Sequence, residues 1–558
     1  MMSKITNIIV CSALLAACLL GVNLSLPLQS PALILFGLAG LTGALMVWKV
    51  RLASHGLLWF VLIAIGYFFV RAWFSPVQDL AYEDLYLIIG AALLYLLLVV
   101  SSNVSGGRTS IAVVILVALM LHLGSSIHQL LGGDGYGMVW LFTDATRPDN
   151  NAVSGMYGYR GSFANFAMMS GMLSLCLGLW GKCGSIMRLA LVLLGIAALV
   201  FGCLAFSRSA ALSLVVGGIV LLVMLWVSVS GQRDGIRTKF RFGIVLCGVV
   251  GAIFVLLASW VVFQNRAQDS VRGADVMFDS NVRLAFWPMA VDQFNDHPVI
   301  GAGSRSFAYE CFHYWNPNLD TGEANPEFVH NEYLQSLADY GIVGFLLIVG
   351  LLGAHLLCGV LRVRSLSNRS HVVDWSEGSN AMALTIAGLV GIVIMSIHVI
   401  FDFRTHLMAN LLLLVCCLVW VLPTNQGKES GGKPLTAMIF LVLLVISISA
   451  LVLSAVQLRG GLPLLQNKMA SEHGGWNPAG VNRDVWMPNL EKSIEIAPSY
   501  RRHLKLGTLY RLEAEDMTGP PRKKMLRKAI AQYEAASARH AYEPVSLINL
   551  GSLHSYLG

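Results

Sequence analysis

Residues 328–352 read FVHNEYLQSLADYGIVGFLLIVGLL, a histidine heading a short amphipathic stretch that runs on into an unbroken apolar segment. At helical spacing His330, Tyr333, Leu334, Leu337 and Ala338 share one face, and Glu332, Gln335 and Asp339 take another. The imidazole is therefore expected on the apolar face, toward protein or the bilayer surface. The apolar half belongs to a run at 338–361, long enough to cross the roughly 30 Å hydrocarbon core of a bilayer. The polar half closes the longest polar loop of a mostly apolar chain, so a titratable side chain is held at a membrane edge.

Composition generalises that reading. Of the 558 residues 56% are hydrophobic and only 12% charged, with a mean hydropathy of +0.67; ordinary globular domains carry about 25% charged residues. The fold class is all-α, a polytopic membrane protein. Thirteen runs can span: 5–22, 31–48, 56–74, 85–100, 111–131, 163–180, 187–206, 209–229, 242–263, 338–361, 381–400, 406–422 and 435–457. The first, with Lys4 ahead of it and small residues at Ala16 and Ala17, resembles a signal peptide. No clear cleavage site ends it and many spans follow, so it reads as a retained anchor.

Lys and Arg concentrate in cytoplasmic loops. With the N-terminus inside, every second loop is basic: Lys49 and Arg51; Arg108; Lys182 and Arg188; Arg233, Arg237, Lys239 and Arg241; Arg362, Arg364 and Arg369; Lys428 and Lys433. The long segments 132–162 and 264–337 then face outward, as does the tail after 458. Most of the ten cysteines fall in spans, Cys183 is placed in an inner loop and Cys311 in an outer one. No disulfide framework or zinc spacing is present, and they read as small apolar packing residues. The net charge of +7 comes mostly from inner loops and a basic tail. That favours anionic membrane lipids as neighbours and not nucleic acid, for which no aromatic and basic interleaving exists.

With this topology the unusual polar residues gather on the outer side: Arg160 in YGYRGSFANF, Arg208 in AFSRSAALSL, Arg283 in NVRLAFWPM and His330. Arg208 sits in a tight turn between two apolar helices, flanked by Ser207 and Ser209. An arginine at a helix end can snorkel to headgroups, or pair with an anion beside a cavity. After Arg283, the spacing of Leu284, Trp287, Met289, Ala290 and Phe294 predicts an amphipathic helix lying on the membrane. A turn at His297 and Pro298 and a connection through Gly301 and Gly303 follow it. Those glycines lack the strand and helix of a phosphate-binding loop. His297, His313 and His330 match no metal-ligand spacing, and Asp79, Glu83 and Asp84 read as a solvated acidic loop, with a carboxylate base or metal site as the alternative.

The pieces GSFANFAMMSGML with Asn165, FSRSAAL, RLAFWPMAVDQFNDHPVIGAGSRSF and HNEYLQSLADYGIVGFLLIVGLL, in this order over residues 160–350, resemble the O-antigen ligase and polymerase superfamily. It includes the O-linked oligosaccharyltransferases. The resemblance implies a helical C-type glycosyltransferase fold in the bacterial inner membrane. It also implies an undecaprenyl-diphosphate-linked glycan donor and transfer without nucleotide sugar, metal or other cofactor. It further implies that Arg208 and Arg283 hold the lipid diphosphate and that His330 is the essential histidine. Arg160, Asn165, Asn331 and Tyr333 are expected at the substrate. The acceptor is left open among a lipid A core, a growing glycan and a protein hydroxyl.

The chemistry is consistent with that resemblance. An acceptor hydroxyl attacking the anomeric carbon expels a diphosphate, whose charge forked guanidinium donors can stabilise. His330 either removes the hydroxyl proton or, protonated, binds phosphate. A lipid-linked glycan transporter would need the same arginines. It would also need access from both faces and polar or broken helices near the midplane, whereas here the spans hold few such groups beyond His122, His355 and His398.

From 489 the pattern becomes that of a soluble helical tail after a linker at 459–488. An Ala497-Pro498 junction followed by Leu506, Gly507 and Tyr510 resembles a tetratricopeptide unit. Ala529, Tyr533, Ala536, Pro544, Leu550 and Gly551 make a partial second copy. The two Leu-Gly pairs stand 44 residues apart, longer than the usual repeat of about 34, with MTGPPRKKML as the insertion. No polar capping helix precedes Gly558, so the chain is expected to be cut or to end atypically. Such a tail would contact a periplasmic protein or glycan.

Overall fold

The structure is a computed structural model that describes residues 2–48, 55–101, 107–131, 153–157, 159–229, 275–315, 326–369, 379–423, 433–470, 478 and 480–557. Every regular element among them is helical. The membrane part comprises α1 (Met2–Leu20), α2 (Leu26–Val47), α3 (His55–Trp73), α4 (Gln78–Ser101), α5 (Gly107–Leu130), α6 (Arg160–Trp180), α7 (Ser185–Leu204) and α8 (Arg208–Val229). After α9 (Asp275–Asp296) and the short α10 (Phe307–Glu310) it continues with α11 (Glu332–Arg369), α12 (Asn380–His398), α13 (Met408–Trp420) and α14 (Lys433–Ala470). Eleven of these are long and apolar enough to cross a membrane, with α13 a shorter apolar helix. Twelve of the thirteen expected runs thus have a helix; the run at 242–263 lies outside the described residues.

Apolar sequence sorts the helices into layers. α4 and α6 form the centre, each with 89% of its membrane window buried, whereas α7 and α11, at 17%, leave apolar faces for lipid. Loop contacts define two ends. At one, the Ser379 amide donates to the Trp180 carbonyl, the Arg108 guanidinium reaches the Leu422 carbonyl at 2.7 Å and Arg362 that of Trp420. At the other, Ala409 N–H bonds Gly21 O, Val153 N–H bonds Leu204 O, and Ser75 Oγ donates to Ser304 O. Arg108 and Arg362, in the loops read as cytoplasmic, lie at the first end; Arg160, Arg208 and His330 lie at the second.

The decisive stretch departs from its periodic reading. His330 has φ of +56° and precedes the helix, which begins at Glu332, so the imidazole belongs to a loop rather than to the helical face assigned to it. The helix then breaks at Gly341 (φ +65°, ψ −170°) before the apolar run. Loop 298–303 packs into the break: Ala302 N–H bonds Ala338 O, Gly303 N–H bonds Asp339 O, and Ile342 N–H bonds Pro298 O. A side chain at Gly341 would collide with the Val299 carbonyl and the Gly301 amide. Gly301 and Gly303 also hold positive φ. HPVIGAG and DYGIVG are thus two halves of one backbone junction.

α9 is also placed differently from expectation. Its Ala285, Phe286, Met289 and Ala290 are buried against Phe307, Cys311, Val329 and Ala338, because the outer loop folds over this face and replaces lipid as its apolar partner. α14 runs to Ala470, well into the segment read as a linker; at about 1.5 Å per residue it far exceeds a roughly 30 Å core. The tail is four helices, α15 (Arg483–Ile496), α16 (Tyr500–Glu515), α17 (Gly519–Arg539) and α18 (Pro544–Leu557). They share a core of Trp486, Leu490, Leu506, Leu509, Tyr510, Ala529 and Tyr533. This core contains Leu506, Tyr510, Ala529 and Tyr533 of the repeat-like positions.

Candidate active site

The site centres on the segment 399–407 between α12 and α13. α13 has thirteen residues and rises only about 20 Å, short of the roughly 30 Å of a bilayer core, which leaves the segment before it at membrane depth. Irregular backbone survives at such depth only when protein satisfies it. Here side chains do so: Asp402 Oδ1 accepts from the Phe403 amide, and Glu332 Oε1 accepts from the Thr405 amide and hydroxyl at 3.0 and 2.5 Å.

Asp402 is the hub. Its Oδ1 lies 3.6 Å from His330 Nδ1, and its Oδ2 is paired with the Arg404 guanidinium. Arg404 Nη1 also donates to Ser162 Oγ at 2.5 Å, in the first turn of α6. His330 stacks against Phe286 and meets Phe403 edge-on at 5.0 Å. Its side chain is 22% exposed while that of Asp402 is 5% exposed, so the histidine is reachable and its partner is not.

Two helix starts complete this region. A side chain at Gly161 would strike the Arg404 guanidinium and lie 3.3 Å from Ser207 Oγ, so the start of α6 and the turn before α8 adjoin Arg404. Arg160 and Arg208 are the first residues of α6 and α8, half-buried and exposed respectively. Unpaired amides and the dipole at such termini favour anions, and each carries a guanidinium besides. The floor is a buried chain from Ser209 to His398 (3.0 Å), Asn165 (3.2 Å), Asn410 (3.0 Å) and Tyr157 (2.6 Å), which ties α8, α12, α6 and α13 together.

Residues 189–349 match the O-antigen ligase family model. The match supports the O-antigen ligase superfamily, and with it a membrane glycosyltransferase-type ligase. It runs from α7 into α11 and includes Arg208, Arg283, loop 298–303 and His330. No curated protein matches the chain. Asp402, which faces His330 of the matched stretch, and its partner Arg404 lie beyond the matched residues.

The remaining expected site residues have distinct places. Asn331 Oδ1 accepts from the amides of Tyr333 and Leu334, which caps α11. Tyr333 donates to the Ser396 carbonyl at 3.1 Å, fastening α11 to α12. Asn165 is fully buried in the floor. Arg283 falls within α9, and its side chain lies outside the described residues.

The acidic residues at the start of α4 require correction. Asp79, Glu83 and Asp84 are not a solvated loop, because cations and donors from four other regions close over them. Asp84 accepts from Ser304 Oγ and the Tyr340 hydroxyl and faces His406 Nε2 at 3.5 Å, and His406 Nδ1 in turn meets Glu332 at 3.1 Å. Glu83 lies 3.2 Å from Arg305, and Asp79 is paired with Arg539. Arg305 is fully buried over the Phe328 ring, at 4.1 Å. Burial alone would lower its pKa, but Glu83, Asp84 and Glu327 outweigh burial and hold it above the ordinary value. Next to this cluster a cavity of about 300 Å³ opens among apolar residues of α3, α4, α11, α12 and α13, with Asp84, Glu332 and His406 at its polar head.

Sequence reasoning missed Asp402, Arg404, His406, Arg305 and Asn410. The available signal was FDFRTH at 401–406, three ionisable residues wedged between two apolar runs.

Proposed function

We propose that this protein transfers an oligo- or polysaccharide from undecaprenyl diphosphate to an acceptor hydroxyl at the periplasmic face of the bacterial inner membrane. The observation that carries the reading is the His330–Asp402 pair beside the arginine-bearing starts of α6 and α8, at one end of a bundle whose residues 189–349 match the O-antigen ligase family model. The basic loops at the opposite end support an inside N-terminus.

In this reading the acceptor oxygen bonds the anomeric carbon as the carbon–oxygen bond to the diphosphate breaks, and the diphosphate leaves with the electron pair. Arg208 and Arg283, with Arg160 and the two helix starts, stabilise its charge. His330 takes the hydroxyl proton. Asp402 at Nδ1 favours the tautomer whose basic nitrogen is Nε2 and stabilises the imidazolium that forms. Arg404 is a positioning residue that keeps Asp402 in place.

The test is transfer by the full chain in nanodiscs, with undecaprenyl-diphosphate glycan and three acceptors in parallel: a lipid A core, a glycan and a protein. His330→Ala, Arg208→Ala and Arg283→Ala are expected to abolish product. Retained product in all three would sink the residue assignment. Glycan movement across the bilayer without product on any acceptor would favour a transporter. A tail docked beside the site favours an acceptor that touches protein, so a polymerase or protein O-oligosaccharyltransferase is the second reading.

A further inference from the structure

The tail reaches the site through one side chain. Arg501, in the first turn of α16, donates from Nη1 to Glu83 Oε1 at 2.9 Å, from Nη2 to Glu327 Oε1 at 2.6 Å, and from Nε to the Tyr500 hydroxyl at 3.0 Å. Glu83 belongs to the central helix α4, whereas Glu327 belongs to the loop that carries His330. One guanidinium from the tail therefore grips the scaffold and the reactive loop together.

What the grip transmits can be followed residue by residue. Glu327 Oε2 faces buried Arg305 at 3.8 Å, and Arg305 lies over Phe328. Phe328 stacks on Phe403 at 4.2 Å with planes 6° apart, and Phe403 abuts the His330 ring. Burial raises the Glu327 pKa, but Arg501 and Arg305 outweigh it, leaving the carboxyl below its ordinary range and charged at neutral pH. His330 itself holds φ of +56° without being glycine. Such a backbone is sparsely populated for a residue other than glycine and persists only where its surroundings over-determine it.

We propose that the helical tail is part of the active site, with Arg501 a positioning residue that holds loop 326–331, and so His330, in its reactive place. This rests on His330 being the reactive group of the proposed transfer. The forked geometry matters as well as the charge, since a lysine ammonium cannot span two carboxylates as a planar guanidinium does.

The experiment uses the full chain in nanodiscs and reads two quantities: initial rates against donor concentration, and amide exchange over 327–331. For Arg501→Ala, kcat should fall roughly 10- to 100-fold, the cost of a misplaced reacting group, with donor KM changed less than about threefold. Exchange over the loop should quicken about tenfold or more. Arg501→Lys should recover part of both. Arg483→Ala removes the pairs to Glu513 and Asp516 within the tail and should change neither. Glu327→Gln cuts the same link from the loop side and serves if Arg501→Ala misfolds, as judged by exchange within α16.

Unchanged loop exchange or unchanged kcat in Arg501→Ala and Glu327→Gln overturns the proposal, as does an Arg483→Ala that matches them. Activity retained by His330→Ala instead overturns the transfer assignment. The exchange measurement needs no turnover, so the two failures are separable.

Discussion

Acidification from pH 7 to 5 should loosen the docked tail, and His540 should account for most of the effect. The residue ends α17 and is 1% exposed, its ring lying 5.3 Å from that of Tyr309 in the outer loop and 5.0 Å from that of Tyr500. Burial pulls its pKa down to about 4, Glu327 opposes this and Arg501 adds to it. An undocked ring open to water would titrate near 6.5. The undocked state therefore binds the proton more readily throughout the interval from about 6.5 to 4. Docking is fully supported above 6.5 and loses that support as pH falls toward 4.

For a pKa of about 4 docked against about 6.5 undocked, the loss between pH 7 and 5 is about 1.8 kcal/mol, roughly 20-fold in the docking equilibrium. Glu327 cannot supply this loss: its depressed pKa keeps it ionised until the pH is below the ordinary carboxylate range. His503 bonds Gln532 inside the tail, and Asp79 of α4 favours its protonated form when docked, an effect of the opposite sign. The assay is the distance between spin labels on α17 and the membrane bundle, in nanodiscs, over this pH range. Wild type should shift toward the open distance by about 20-fold in ratio, and His540→Phe should show a flat profile. Equal slopes in the two proteins would refute the reasoning.

Three further outcomes follow from the geometry. Gly341→Ala places a Cβ against the Val299 carbonyl and the Gly301 amide at a positive φ; thermal denaturation should show a loss of more than about 2 kcal/mol. Asn331→Ala should cost about 1 kcal/mol as a lost cap, while Asn331→Asp restores stability and turnover together. If Asn331 binds substrate instead, Asp will restore stability but not donor KM. Asp402→Asn removes the charge that faces both Arg404 and His330; initial rates should fall by roughly 100-fold or more with donor KM nearly constant, as for an orienting carboxylate.

Much was legible in the chain because hydrophobic length is a local property. Twelve of the apolar runs, read from stretches of twenty or so residues, are helical in the bundle, and eleven of those helices are long enough to cross a membrane. The placement of His330, Arg160 and Arg208 at one end of the bundle was legible for a related reason: each is a charged or titratable group beside an apolar run, where burial in hydrocarbon would be costly. Periodicity failed at His330 itself, because a positive φ is imposed by the loop's neighbours and leaves no mark on spacing. The acidic start of α4 was misread because its partners, Arg305, Arg501 and Arg539, lie hundreds of residues away along the chain.

The sequence by itself determined a helical membrane bundle, its polar end and a histidine at that end, since burial of apolar surface and the price of intramembrane charge act on short segments. Folding in three dimensions set which carboxylate faces the histidine and which arginine bonds its loop. Asp402 and Arg501 become neighbours of that loop through the short α13 and the docked tail, and contact across such distances in sequence is a property of packing.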